Sequence, residues 1–532
     1  MLIYRTETRV IRPREQISRI TAASDPAEIL IAAGELEAGV VDALCPAADG
    51  WHPTLAALRE ASVAAGRFFL RRCPRPALIA AFDALATLEL PPHVEVSVPE
   101  GYAYYGLYPE TYATAAGTFH QEMRPERVGV IGIRSIGASL GAVAAAALEA
   151  RGCEVHSWTV RPRGHPFYRT LALSPELERQ FRAHASWHFA IVDEGPGLSG
   201  SSLACVAEKL SWLGVPDERI VFFPSWNPDP GSFVSQTAAG RWMRHRKYVA
   251  VFEPSAGLRD LSAGEWRRMV YSTVSAWPAV QPQHERRKYL EDRTLLKFAG
   301  LGRFGRAKLP RASELAEAGF SPGALGFENG FLRLSFVQGR PLSARDRSPE
   351  LIAHMARYLA HLWRRHPSGR GARFEDLAGM IEANTGLDAG RLERFRAMVT
   401  SGRSVAIDGR MLPHEWLLTG GGFLKTDSLD HTDDHFLPGC TDIAWDLAGA
   451  SIEFGLNRQE AAYFMETYAA LSGDREAGRR LPFFRLAYLA FRLGYATVAQ
   501  NTLRGSPDSS RFAVLAARYR ARLPAAARDA GL

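Results

Sequence analysis

The sequence predicts an α/β chain of more than one domain, with a parallel sheet and crossover helices first and a mostly helical α+β region after it. Three observations carry this. Short β-branched or aromatic runs at Val128–Ile133, Glu154–Val160, Phe189–Val192 and Arg219–Phe223 recur across the first half, and the first and third lead into helical patterns. A stretch rich in Pro, Gln and charge, Trp277–Lys288, then breaks the rhythm. From about Leu351 onward apolar residues fall at helical spacing. At 532 residues the chain also exceeds what one hydrophobic core usually serves.

Residues 1–95 alternate helix-like patterns (Asp25–Ala43, Thr54–Phe69, Ala77–Ala86) with Pro-rich breaks and read as an N-terminal helical extension. Residues 96–255 hold the strand–helix rhythm, 256–284 read as a linker, and 285–532 form the second domain. The composition, 46% hydrophobic and 23% charged, is that of a soluble globular protein. A net charge of +7 favours anionic partners in general. The arginines are scattered rather than interleaved with aromatics, so there is no specific nucleic-acid signal, and small phosphorylated metabolites account for the balance equally well. The five cysteines, Cys45, Cys73, Cys153, Cys205 and Cys440, form no CxxC pair and predict reduced thiols in a cytoplasmic protein. The N-terminus, Met1–Thr8, has no apolar signal region, and Leu140–Leu148 is too short to span a bilayer, so no membrane partner is expected. A homodimer stays open.

The most informative run is Phe189-Ala-Ile-Val-Asp-Glu-Gly-Pro-Gly-Leu-Ser-Gly-Ser-Ser202. An apolar strand ends on two carboxylates, and a Ser/Gly turn leads into the helix that starts near Leu203. Backbone N–H groups and hydroxyls at such a helix start can hold a phosphate, and the acids can accept from sugar hydroxyls. Upstream, Gly132-x-Arg134-x-x-Gly137 nearly matches a dinucleotide-binding fingerprint. Arg134 stands where a glycine lets backbone approach the pyrophosphate, and the next strand ends in Thr159-Val-Arg161 without an acid. A dinucleotide site of the NADP type and a phosphate-indifferent turn both stay open.

The order strand–loop–helix, strand–basic loop, strand–acids–loop–helix resembles the type I phosphoribosyltransferases. The resemblance implies that Arg134 and Ser135 lie against a pyrophosphate and that Arg161 and Arg163, in the loop Arg161–Arg169, form a basic lid. It also implies that Asp193 and Glu194 hold ribose hydroxyls while Ser199, Gly200, Ser201 and Ser202 cradle the 5′-phosphate. Phosphoribosyl pyrophosphate (PRPP) and Mg²⁺ are the implied ligands. Two departures stand out: Gly200 lies seven residues after Asp193 rather than six, and Gly195-Pro-Gly197 replaces an apolar pair.

In the second domain, Arg293–Phe298 reads as a strand carrying Lys297, followed by a short helix at Arg311–Gly319 and a further strand from Gly330. Gly300-Leu-Gly-Arg-Phe-Gly305 matches GxGxxG but follows the lysine. Later come Met411–Leu418, Gly422–Asp427 and Asp446-Leu-Ala448. This order resembles the aminoglycoside-phosphotransferase branch of the protein-kinase-like fold. The resemblance implies ATP as the nucleotide, Lys297 on its phosphates and paired with Glu314, His414 in the catalytic loop, and Asp427 as a magnesium ligand. Glu415 and Trp416 stand where Gly-Asp is expected. Asp427–His435, with four aspartates and two histidines, is also a candidate metal loop.

Together these readings predict a phosphoribosyltransferase-like domain fused to a kinase-like domain, acting on PRPP or a related ribose phosphate with Mg²⁺. Two alternatives accompany it: a non-catalytic sensor of PRPP and nucleotide, and a small-molecule kinase carried by the C-terminal domain.

Overall fold

The computed structural model describes residues 8–165, 167–197, 199–432 and 438–532. Asp433, Asp434 and His435 of the candidate metal loop, Pro166 of the basic loop, Leu198 of the Ser/Gly turn and most of the N-terminal segment Met1–Thr8 lie outside the described residues. Residues 8–256 with 300–304 form one compact body, and residues 257–299 with 305–532 form another.

The first body is built on a five-stranded parallel sheet in the order Glu154–Val160, Arg127–Ile133, His188–Val192, Ile220–Phe223, Arg246–Lys247. Both faces are covered, which is why Phe189, Ala190, Ile191 and Val192 are all buried and the strand reads as a continuous apolar run. One face packs on the helices Pro175–Ala183, Ser201–Trp212 and Gln236–Arg244 through Phe181, Leu203, Val206 and Trp242. Against the other lies the Ala-rich helix Gly137–Glu149, buried along nearly its whole length. A Cβ on Gly132 would sit 2.0 Å from the Gly137 carbonyl oxygen, so the pair closes the strand-to-helix turn backbone on backbone. The helices Pro26–Leu44 and Pro53–Phe69 layer onto Gly137–Glu149, and Gly66 brings one of them against the Ala142 carbonyl.

This layer supplies the partners of the predicted lid arginines. Arg134, with no side-chain exposure, donates from Nε to Asp42 at 2.9 Å and from Nη2 to the buried Asp49. Arg161 bonds Asp42 through its guanidinium, and its backbone N–H donates to Asp49 Oδ2 at 2.7 Å. Arg163 reaches the Cys45 carbonyl at 2.6 Å and Asp49 at 3.2 Å. The arginines expected to meet a pyrophosphate are thus bound to two carboxylates from residues 42 and 49. Charge this deep is tolerated because it is paired.

The second body begins with an antiparallel five-stranded sheet, in the order Arg259–Asp260, Lys288–Glu291, Thr294–Phe298, Phe331–Ser335, Ala324–Glu328. The helix Leu309–Glu317 follows the lysine-bearing strand. The remainder is largely helical, centred on Ala477–Thr502, whose residues Leu486–Gly494 are buried on all sides. Around it pack Phe374–Thr385, Ala444–Phe454 and Pro507–Asp529, while Pro349–Arg365 packs against Arg458–Ser472. The segment before the sheet is tied down by Arg267, which grips Asp508 with contacts of 2.9 to 3.2 Å. The architecture is therefore mixed α/β and mostly helical. Among the described residues, no helix is long and apolar enough to cross a membrane.

Arg134→Met is expected to lower the stability of the first body by roughly 3 kcal/mol. Part of the support for Asp49 survives through Arg163 and the Arg161 N–H. Urea unfolding of the full chain should show one transition moved to lower denaturant, and an unmoved midpoint would contradict the structural role.

Candidate functional site

The second body contains a cavity of about 730 Å³, walled by apolar and aromatic groups such as Trp266, Tyr271, Leu295, Phe336 and Phe512. Its polar end is a compact set of charges. Alternation along Thr294–Phe298 turns Lys297 inward, and the two flanking antiparallel strands fix its height. Its ammonium lies 2.5 Å from Asp427 Oδ1 and 2.6 Å from Asp430 Oδ2. Lys308, entering the helix Leu309–Glu317, meets the other oxygen of Asp430 at 3.1 Å.

The hairpin Trp416–Thr419/Gly422–Lys425 delivers the next layer, its turn closing at Gly422 with φ +113°. Lys425 is fully buried and bridges Glu415 at 2.9 Å and Asp408 at 3.3 Å. Arg410 reaches Glu415 at 2.7 Å and Asp427 at 3.4 Å. His431 points Nε2 at Asp427, 3.6 Å away, while its Nδ1 lies 2.7 Å from the Asp408 carbonyl. The loop Asp408-Gly409-Arg410 is held from behind by Asp446, which accepts the Asp408 and Gly409 N–H groups at 2.7 and 2.8 Å. Trp445 donates to the Gly409 carbonyl and Tyr358 to the Asp408 carboxylate.

The electrostatics follow from burial and pairing. Burial works against the charge on Glu415, but Lys425 and Arg410 outweigh it and hold the carboxyl down to about 2. Lys297 and His431 likewise overcome burial at Asp427 and keep it well below the ordinary carboxylate range. Asp446 goes the other way, pushed up to about 8 by burial and by the neighbouring Asp408. One carboxylate oxygen each from Glu415 and Asp427 and one imidazole nitrogen of His431 lie within 4.8 Å of one another. Hard oxygen donors with one imidazole suit Mg²⁺ or Mn²⁺.

The expected residues are only partly brought together. Lys297 and Asp427 meet, but Lys297 pairs with Asp427 and Asp430, not with Glu314. Glu314 faces the other way, bonding Arg365 at 2.8 Å beside His361 and His366. His414 lines the cavity and stacks on Trp266 with centroids 6.1 Å apart, while its neighbour Glu415 enters the charged cluster. Asp408, Arg410 and Lys425 carry no role in the sequence reading, and Asp430 enters it only as a member of the candidate metal loop. One signal was available. Kinase catalytic loops follow H-R-D-x-x-x-x-N, and Asp408-Gly-Arg-x-x-x-x-Glu415 keeps that spacing, with arginine in place of the aspartate.

In the first body, Asp193 and Glu194 are close together and half-buried. Glu194 Oε2 accepts the Gly101 N–H at 2.6 Å, and Tyr112 donates to the Asp193 carbonyl at 2.9 Å. Burial pushes Asp193 up to about 7 and Glu194 well above its ordinary value. The Ser199 and Ser201 hydroxyls bond each other at 3.0 Å, Ser201 and Ser202 open the helix Ser201–Trp212, and the Phe233 ring lies against Gly200. Ser135 precedes the helix Gly137–Glu149, next to the buried Arg134.

No protein-family model and no curated protein matches the chain. Among solved structures, the chain is similar to a choline/ethanolamine kinase family protein from Mesorhizobium loti, at 20% identity and TM-score 0.33, over 50% of this chain and 97% of that one. It is similar to a choline kinase from Streptococcus pneumoniae, at 12% identity and TM-score 0.33, over 45% and 89%. A spectinomycin phosphotransferase in complex with ADP and spectinomycin matches at 11% identity and TM-score 0.34, over 52% and 100%. These are kinases and phosphotransferases. The geometry of the first body corrects the PRPP-transferase reading. Its physical failing is visible in the first body, where Arg134, Arg161 and Arg163 are spent on Asp42, Asp49 and the Cys45 carbonyl, and Glu194 on the Gly101 N–H.

A pH dependence follows. Burial pushes His414 and His354 down from 6.5 to about 4, so both stay neutral in the folded protein. Between pH 6.5 and 4 these two groups, with His366 also held down to about 4, bind more protons in the unfolded chain and outnumber Asp446, whose raised value works the other way, so stability falls as pH falls. Glu415, held down to about 2, continues the loss below the ordinary carboxylate range, because its stabilisation vanishes as pH drops towards its folded value. Unfolding of the second body, followed at steps from pH 7 to pH 4, should show a midpoint that declines with acidification. A flat or rising midpoint would contradict these environments.

Proposed function

We propose that the second body is a nucleotide-dependent small-molecule phosphotransferase domain that works with ATP and a divalent cation. The observation that carries this is the buried strand lysine, Lys297, paired with Asp427 beside Glu415 and His431 at the polar end of the cavity. A phosphate chain at that end replaces carboxylate oxygens as the partner of the Lys297 ammonium. The apolar wall at Leu295 and Phe336 suits a purine ring. Glu415 and Asp427 are the residues to hold Mg²⁺, which when bound neutralises phosphate charge and polarises the transferred group. Lys297 and Arg410 supply further positive charge where negative charge develops on phosphoryl transfer.

Arg410 also favours a second reading, nucleotide binding without transfer. Kinases place at this loop position a carboxylate that accepts the acceptor hydroxyl's proton, and a guanidinium cannot accept one. On the first reading positioning and charge stabilisation carry the transfer, with Glu415 kept for the cation, and the acceptor's proton passes to phosphate oxygen or water.

Calorimetry with ATP in the presence and absence of Mg²⁺ tests the common part. Wild type should bind with Mg²⁺-enhanced affinity, and Asp427→Asn should lose at least tenfold, about 1.4 kcal/mol. Absence of heat with any purine nucleotide overturns the proposal. Radiolabelled γ-phosphate transfer to hydroxyl-bearing acceptors then separates the readings. Transfer that Glu415→Gln abolishes supports the phosphotransferase, whereas tight binding without transfer supports the sensor.

A further inference from the structure

On the opposite side of the helix Leu309–Glu317 from the role expected of it, Glu314 meets two histidines from the end of the next long helix. His361 lies in the last turns of Pro349–Arg365, and His366 is the residue that caps it. The Nε2 atoms of both are buried and make no hydrogen bond. His361 Nε2 lies 3.5 Å from Glu314 Oε1, and His366 Nε2 lies 3.4 Å from Glu314 Oε2. All three residues offer a ligand atom within 4.8 Å of the others.

Unbonded imidazole nitrogens facing a carboxylate are costly, since each forgoes the water it would otherwise hold. Their spacing has a use. Two ligands about 2.0–2.1 Å from one zinc ion at the tetrahedral angle stand roughly 3.4 Å apart. The two nitrogen–oxygen separations are 3.5 and 3.4 Å. The His366 Nε2–Glu314 Oε2 pair is therefore already at the separation that a tetrahedral ion imposes, with His361 Nε2 3.5 Å from the other carboxylate oxygen.

We propose that Glu314, His361 and His366 form a transition-metal site of the zinc class, with water completing the coordination. Two imidazoles and one carboxylate select a borderline metal rather than Mg²⁺ or Ca²⁺. Arg365 donates to Glu314 Oε1 at 2.8 Å, which leaves Oε2 for the ion and orients the carboxylate, as outer partners of metal ligands do. Arg311, on the same helix as Glu314, donates to the carbonyls of Ala406 and Ile407, and its charge joins burial in keeping His366 neutral, the form that can bind a metal. Glu314 and His361 keep side-chain exposures of 29% and 16%, so an ion has access from solvent.

The site ties together three pieces of the second body. It links the helix after the lysine strand to the end of Pro349–Arg365, and through the His366 carbonyl, which accepts the Ala406 N–H at 2.9 Å, to the strand that leads into Asp408. A metal there is a brace behind the charged loop rather than part of it.

Co²⁺ titration of the chelator-treated full chain tests this, in an Asp427→Asn background that weakens the Glu415–Asp427–His431 group. One equivalent should bind with the visible absorption of four-coordinate Co²⁺ and be displaced by Zn²⁺. Glu314→Gln and His361→Ala should each weaken binding by about 10–100-fold. His366→Asn, a small polar replacement, should do the same and guards against a loss caused by misfolding, with circular dichroism as the check. No binding in the Asp427→Asn background, six-coordinate spectra only, or affinity unchanged in folded His361→Ala and His366→Asn would overturn the proposal.

Discussion

The contact between Lys297 and the paired carboxylates of Asp427 and Asp430 is the constraint on which the second body depends. An ammonium this deep is unfavourable unless its charge is answered at short range, and each carboxylate that answers it needs its own support. The requirement propagates outward. Asp430 recruits Lys308, Asp427 recruits Arg410 and His431, and Arg410 and Lys425 converge on Glu415. Behind them Asp446 satisfies the backbone of the loop that carries Asp408 and Arg410. The sheet, the hairpin and the helix starting at Ala444 are thus held in one arrangement by a charge network, with a cavity left where the network faces apolar walls.

The first body applies the same rule to the arginines that its motifs present. Arg134, Arg161 and Arg163 converge on Asp42 and Asp49, and their charges are neutralised inside the fold. Asp193 and Glu194 are desolvated and internally bonded. Groups that look chemical in a linear motif serve here to glue the helical layer of residues 26–69 to the parallel sheet.

How much of this was legible follows from the range of each interaction. The parallel strands were readable because a strand buried on both faces is a local apolar run, as at Phe189–Val192. Lys297 and Asp427 were readable because each sits at a set place on a strand or at its end. Arg134 was readable as a pyrophosphate ligand or as an obstacle in a dinucleotide turn, and its partners lie 92 and 85 residues away in sequence, where no local pattern records them. Glu314 was misassigned for a similar reason: on a short helix between two strong charges, only the third dimension decides whether it faces Lys297 or the histidines. The loop at Asp408–Glu415 was hidden by His414, a histidine in an attractive place that turns out to stack on Trp266. The five-residue interval from Arg410 to Glu415 joins two members of the charged cluster, and an arginine at its start gave no local sign of that.

The central claim is that the charged cluster at the cavity's end receives a nucleotide's phosphates and its cation. A crystal structure of the full chain with a non-hydrolysable ATP analogue and Mn²⁺, phased to show the manganese anomalous signal, tests it most directly. The account predicts manganese coordinated by carboxylate oxygens of Glu415 and Asp427, with the triphosphate against Lys297. A nucleotide bound elsewhere, or manganese absent from these two carboxylates while the analogue is present, would contradict it.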